Sequence, residues 1–126
     1  MSILDEIFAH KKIEVAEAKR RISLLELESA IQDSPPPLAF SSALAGTAHA
    51  TPRLIAEVKH RSPSKGILCP DFNHINLAKT YAQNGAAAIS ILTDEKYFGG
   101  SLNFLKEISK LDLSIPLLRK DFIFDP

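Results

Sequence analysis

The spacing of apolar residues changes period along this chain, and each period predicts a different element. Ile3, Leu4, Ile7, Phe8 and Val15 recur at helical intervals, while Lys11, Lys12, Glu14, Glu17, Lys19 and Arg20 mostly lie elsewhere. A stripe of that kind predicts a helix that starts at Ser2, whose hydroxyl can cap the first turn, and docks through one face. Ser23 followed by Glu26 has the spacing of a capping box and predicts a second, short helix through about Ile31. The run Asp33-Ser34-Pro35-Pro36-Pro37 ends it, because successive prolines remove backbone donors. Phe40 to Leu44 allows one more turn, and the small and polar residues from Ala45 to Pro52 read as a connector.

Beyond the connector, short apolar runs alternate with one helical pattern after another. Arg53 to Val58 predicts a strand. Asn73 to Asn84 carries Ile75, Leu77, Ala78, Tyr81 and Ala82 at helical spacing, with Gly85 where a left-handed C-terminal cap is expected. Ala86 to Leu92 is continuously apolar apart from Ser90, which suits a strand buried on both faces of a parallel sheet. Ser101 can cap a helix through about Leu111, and Ile115 to Arg119 predicts a third strand with Pro116 at its edge. The order is helices, then β-α-β-α-β, an α/β pattern whose strands must lie side by side and parallel through right-handed crossovers. Such a sheet has two open edges, and its uncovered face is expected to carry Ile55, Ile89, Ile91 and Leu118.

The chemistry gathers where these strands end. Side chains alternate along a strand, so Ile55, Glu57 and Lys59 share one side and Leu54, Ala56 and Val58 the other. Two opposite charges thus point the same way at the end of the first strand, and Lys120 closes the third. Taken alone, Glu57 and Lys59 suit a structural ion pair as well as a site, and Lys120-Asp121 suits a solvated loop. Ser62-Pro63-Ser64-Lys65-Gly66 has the small residues and the cation of an anion-binding loop without the spacing of a nucleotide P-loop. His10, His49, His60 and His74 lack partners at metal-ligand spacing and are expected in surface or loop positions, so no metal site is expected.

Composition narrows the class further. The 126 residues are 45% hydrophobic, enough for one domain core or part of one. Fifteen basic residues balance fifteen acidic ones, which gives no electrostatic reason to expect nucleic acid, although a small anion remains compatible. Cys69 is the single cysteine, so no internal disulfide forms, and a reducing compartment fits. Met1 to Arg21 is charged throughout and no run is long enough to span a bilayer, so a cytoplasmic protein without a membrane partner is expected.

Three segments together carry a resemblance. Leu54-Ile55-Ala56-Glu57-Val58-Lys59-His60-Arg61-Ser62-Pro63-Ser64-Lys65-Gly66 resembles the first strand and loop of indole-3-glycerol-phosphate synthase. Ile89-Ser90-Ile91-Leu92-Thr93-Asp94-Glu95-Lys96-Tyr97-Phe98-Gly99-Gly100-Ser101 is similar to that family's second strand and loop, and Leu117-Leu118-Arg119-Lys120-Asp121-Phe122-Ile123 to its third. The resemblance implies the N-terminal portion of a (β/α)8 TIM barrel, with a helical extension and connector over residues 1–52 and the first three βα units over 53–126. It also implies ring closure of a phosphorylated carboxyphenylamino-deoxyribulose to indole-3-glycerol phosphate, with loss of carbon dioxide and water, in tryptophan biosynthesis and without a cofactor. Lys120 would be the general acid at the substrate ketone, Lys59 would hold the carboxylate and phosphate region, and Glu57 would orient both. Ser62 and Pro63 would line the pocket, and Phe98 and Phe122 would wall the benzoate ring.

The resemblance further implies a general-base glutamate and a main phosphate site on later strands than these. The expectation is therefore that the chain does not catalyse the reaction alone, and that it self-associates or takes a complementing barrel portion. Two alternatives stand beside it: a non-catalytic half-barrel assembly module, and an aldolase-type barrel in which Lys59 or Lys120 forms a Schiff base.

Overall fold

The structure, a computed structural model, describes residues 1–45 and 51–126. It divides into two compact units, one of residues 1–36 with 122–126 and one of residues 37–121. His49 and most of the expected connector lie outside the described residues.

In the first unit, α1 (Ile3–Arg21) begins with Ser2 and Asp5 in a reciprocal capping box, so the first free amides are satisfied by side chains. The second helix, α2 (Leu24–Gln32), begins with the Ser23 and Glu26 box that the spacing predicts. Phe8 on α1 meets Phe122 edge-on, with centroids 5.8 Å apart, and Phe124 at 6.3 Å. Lys19 adds an ion pair to Asp125 at 2.8 Å. His10 and Glu14 face each other one turn apart on α1 at 3.0 Å, and the histidine is partly exposed on that helix.

The second unit holds α3 (Phe40–Leu44), β1 (Ile55–Val58), β2 (Arg61–Ser62), β3 (Gly66–Ile67), α4 (His74–Gln83), β4 (Ala88–Leu92), α5 (Leu102–Ser109) and β5 (Leu117–Lys120). Strands β1, β4 and β5 form one parallel sheet with β4 in the centre. The segment 62–66, read as a loop, closes a small antiparallel hairpin, β2 with β3. Asn73 caps α4 by accepting from the Asn76 amide, and Gly85 follows the helix at φ +88°, as a left-handed cap requires. His74 lies in the first turn of α4 and pairs with Glu107 on α5.

Register decides which residues face which way. Glu57 lies opposite Ser90, and Ser90 opposite Leu118, so these three share a face, while Val58 and Ile91 share the other. Val58, Ile89 and Ile91 are fully buried with Ala78 of α4 and Ile108 of α5, which makes that face the helix-covered core. This corrects the expectation that Ile89 and Ile91 share the uncovered face with Ile55 and Leu118. Those two strand residues are offset by one position from Ser90, and a one-residue offset reverses the face. Ile55 and Leu118 do lie on the side away from the helices, at 43% and 41% exposure.

Candidate functional site

The face opposite the helices collects the charges. Glu57 projects from β1, Ser90 from β4, and Lys120 from the end of β5, with Lys59 just beyond β1. Lys120 Nζ donates to Glu57 Oε2 at 2.7 Å, and Ser90 Oγ donates to the same oxygen at 2.7 Å. Lys59 Nζ reaches the other oxygen, Oε1, at 2.9 Å. One carboxylate therefore joins two lysines from strands that are not neighbours, because β4 runs between β1 and β5.

The electrostatics follow from these contacts. Partial burial pushes the Glu57 carboxyl up, but hydrogen bonds from Lys120, Ser90 and Lys59, with the charge of Lys120, outweigh it and bring the group down to about 2. Glu57 is thus an anion across the neutral range. Two cations against one anion leave an excess positive charge in the cluster, which suits a negatively charged ligand. The backbone of Glu57 is fixed as well, since the Tyr81 hydroxyl of α4 donates to its carbonyl at 2.9 Å.

A second network lies on the helix side of the same strand ends. The Thr93 amide donates to the Lys120 carbonyl at 3.0 Å, and its hydroxyl donates to Asp121 Oδ2 at 2.7 Å. Arg119 Nε in turn donates to Thr93 Oγ1 at 3.2 Å. Thr93 is buried, so these bonds also satisfy a polar group that would be costly to leave unpaired. They tether the backbone on both sides of the Lys120 side chain.

The loops add an aromatic and a hairpin. Asp94 Oδ2 accepts from the Tyr97 and Phe98 amides at 2.8 and 3.1 Å, which turns the chain after β4. Phe98 then sits with its ring centroid 5.7 Å from Lys59 Nζ, within cation–π range. Arg61 ties the hairpin to this loop by donating to the Lys96 carbonyl at 2.9 Å and the Glu95 carbonyl at 3.3 Å.

Of the residues singled out from the sequence, the structure brings together Glu57, Lys59 and Lys120, with Phe98 beside Lys59. Ser62 and Pro63 lie in the hairpin, where Ser62 Oγ accepts from the Lys65 amide at 3.2 Å. Phe122 belongs to the other unit and packs on Phe8. The sequence reading gave no role to Ser90, Thr93, Asp121 or Tyr81. One signal for Ser90 was there: it is the single polar residue in the run from Ala86 to Leu92, and a buried hydroxyl needs a partner.

Comparison with known proteins gives a consistent result. The family described as indole-3-glycerol phosphate synthase matches residues 4–126. The chain is 46% identical over 130 residues to the indole-3-glycerol phosphate synthase of Roseiflexus sp. (strain RS-1), covering 99% of this chain and 48% of that protein. It is 46% identical over 124 residues to the enzyme of that name from Desulforamulus reducens, covering 98% of this chain and 46% of the relative. With the Microcystis aeruginosa protein of the same name it shares 46% over 125 residues, 99% of this chain and 42% of that one. The chain spans about half the length of the curated relatives it matches.

Proposed function

This chain belongs to the indole-3-glycerol phosphate synthase family, and from that premise we propose that its strand-end cluster is the acid side of an active site that closes an indole ring. The substrate is 1-(2-carboxyphenylamino)-1-deoxyribulose 5-phosphate, and the products are indole-3-glycerol phosphate, carbon dioxide and water. Lys120 protonates the ketone oxygen as the aromatic carbon attacks the ketone carbon. Lys59 holds the anionic part of the substrate, with the Phe98 ring beside it. Glu57 orients both lysines and assists the dehydration. Ser62 and Pro63 border the pocket, and Phe98 is its proposed aromatic residue. The setting is a tryptophan-making cytoplasm, and the partners are the small phosphorylated substrate and either a second copy of the chain or a complementing barrel portion, not nucleic acid.

The observation that carries this reading is the shared carboxylate. Glu57 accepts from Lys120 and Lys59 at once, at 2.7 and 2.9 Å, across a central strand. A purely local ion pair needs only one lysine, whereas a site that binds an anion and transfers a proton needs cations aimed at one space. Strand ends of this topology are where barrel active sites are built.

Ring closure, followed by indole fluorescence, tests the proposal in two arms: the chain alone, and the chain mixed with a separately made polypeptide carrying strands four to eight. Silence alone and activity in the mixture is the expected result. Turnover by the chain alone overturns the claim that later strands are needed. Silence in a mixture shown to be folded and associated overturns the catalytic reading and leaves the assembly module, which the outer edges of β1 and β5, unpaired among the described residues, favour. A lysine adduct trapped by borohydride from a carbonyl substrate would instead support the aldolase alternative.

A further inference from the structure

We propose that Ser90 is a positioning residue, whose buried hydroxyl fixes the Glu57 carboxylate so that one oxygen serves Lys120 and the other serves Lys59. The catalytic consequence rests on the function proposed above, but the positioning itself does not. Strand β4 reads Ala-Ile-Ser-Ile-Leu, and every residue in it is buried. Ser90 retains only 3% exposure, so its hydroxyl is costly there unless bonded. Its register partner is Glu57, which places the two side chains on one face of neighbouring strands, roughly 5 Å apart at Cβ. The hydroxyl donates to Glu57 Oε2 at 2.7 Å, a charge-assisted bond.

Size matters as much as the hydroxyl. Lys120 reaches Glu57 across β4, about 10 Å from outer strand to outer strand. Lys120 lies opposite Leu92 in register, two residues beyond Ser90 on the same face, and serine is a small residue opposite Glu57. The groups facing Glu57 are Lys59 from its own strand end, Lys120 from β5, Ser90 from β4, and the Tyr81 hydroxyl on its main-chain carbonyl. Only Ser90 among them approaches the carboxylate from buried, rigid backbone. Without its hydroxyl the carboxylate is free to turn toward Lys59 and leave Lys120.

Ser90→Ala keeps the space and removes the bond, so it separates the two contributions. Carbon-13 NMR titration of the Glu57 carboxyl in the 126-residue chain is the readout, after circular dichroism has shown the fold retained. The expected result is a rise of about one pKa unit, a tenfold gain in proton affinity. A folded S90A chain in which Glu57 titrates as in the parent overturns the proposal, even if its melting temperature falls, because lost packing alone does not move that titration. Should S90A unfold, Ser90→Cys decides the matter: it is nearly isosteric, donates weakly, and is expected to raise the Glu57 value in the same direction. No change in that variant overturns the proposal equally. Failure of the function proposed above would appear in the ring-closure mixture and would leave this titration untouched.

Discussion

Lys120 and Glu57 make opposite demands on the same contact. A lysine that donates a proton must release it in the reaction, while a neighbouring carboxylate stabilises its charged form. Glu57 divides its oxygens, so Lys120 takes one bond at 2.7 Å and Lys59 takes the other oxygen. Lys120→Ala in the completed barrel is expected to lower kcat by a factor of about 100 or more, with substrate still retained by Lys59; a normal rate by the indole assay would remove Lys120 from the mechanism. The acid limb of stability tests Glu57. Its folded value of about 2 lies below the ordinary 4.5, so its contribution is complete above pH 4.5 and disappears as pH falls toward 2. Since the carboxylate is only partly buried and solvent still screens its bonds, that contribution is of order 1 kcal/mol. Urea unfolding of the parent and Glu57→Gln at pH 7 and pH 2.5 should show the difference shrinking at the lower pH. A gap that persists would mean that Glu57 stabilises by packing, not charge. Asp5 and Glu26, also lowered by their serine caps, are common to both proteins and cancel in that comparison.

Among the elements, the loop after β4 is tightly packed at Gly100. Gly100 donates its amide to the Asp94 carbonyl at 2.7 Å, and a Cβ there would lie 2.2 Å from the Leu92 carbonyl oxygen. Both neighbours are backbone, so no side chain can swing away. Gly100→Ala is expected to cost about 2 kcal/mol or more in denaturant unfolding and to loosen Phe98 with the loop. Gly85 gives the contrasting case. At φ +88° it needs a left-handed backbone, yet nothing lies within 4 Å of an added Cβ. Gly85→Ala should therefore cost only the backbone term, about 1 kcal/mol, and leave the site intact. If the two substitutions cost the same, crowding at Gly100 is not what fixes the loop. The capping boxes and the Asn73 cap explain why the helices begin where their sequences place them.

For the whole chain, the open sheet sets the behaviour. Strands β1 and β5 each pair on one side only among the described residues, and Ile55 and Leu118 remain exposed on the face that carries Glu57. Unpaired edges and apolar area of that kind favour association with a second copy or with the strands that complete the barrel. Light scattering of the pure chain is expected to give a mass above the 13.8 kDa of one copy, falling to one-to-one complexes when the complementing polypeptide is added. A monomer unaffected by that partner would speak against both the complementation and the assembly readings.

What the amino-acid sequence determined by itself was local. Helix starts at Ser2, Ser23, Asn73 and Ser101, the cap at Gly85, and the strands around Ala56, Ser90 and Leu118 all follow from interactions within a few residues, which the order of side chains encodes directly. The sharing of one face by Glu57 and Lys59 followed from strand alternation in the same way. The third strand was placed from Ile115 but forms at Leu117–Lys120, since pairing with β4 rather than composition sets its start. Only the tertiary structure decided which face Ile89 and Ile91 occupy, that Lys120 crosses β4 to meet Glu57, that Ser90 joins them, and that Thr93 holds the end of β5. Each depends on register between strands about thirty residues apart, which no local preference encodes.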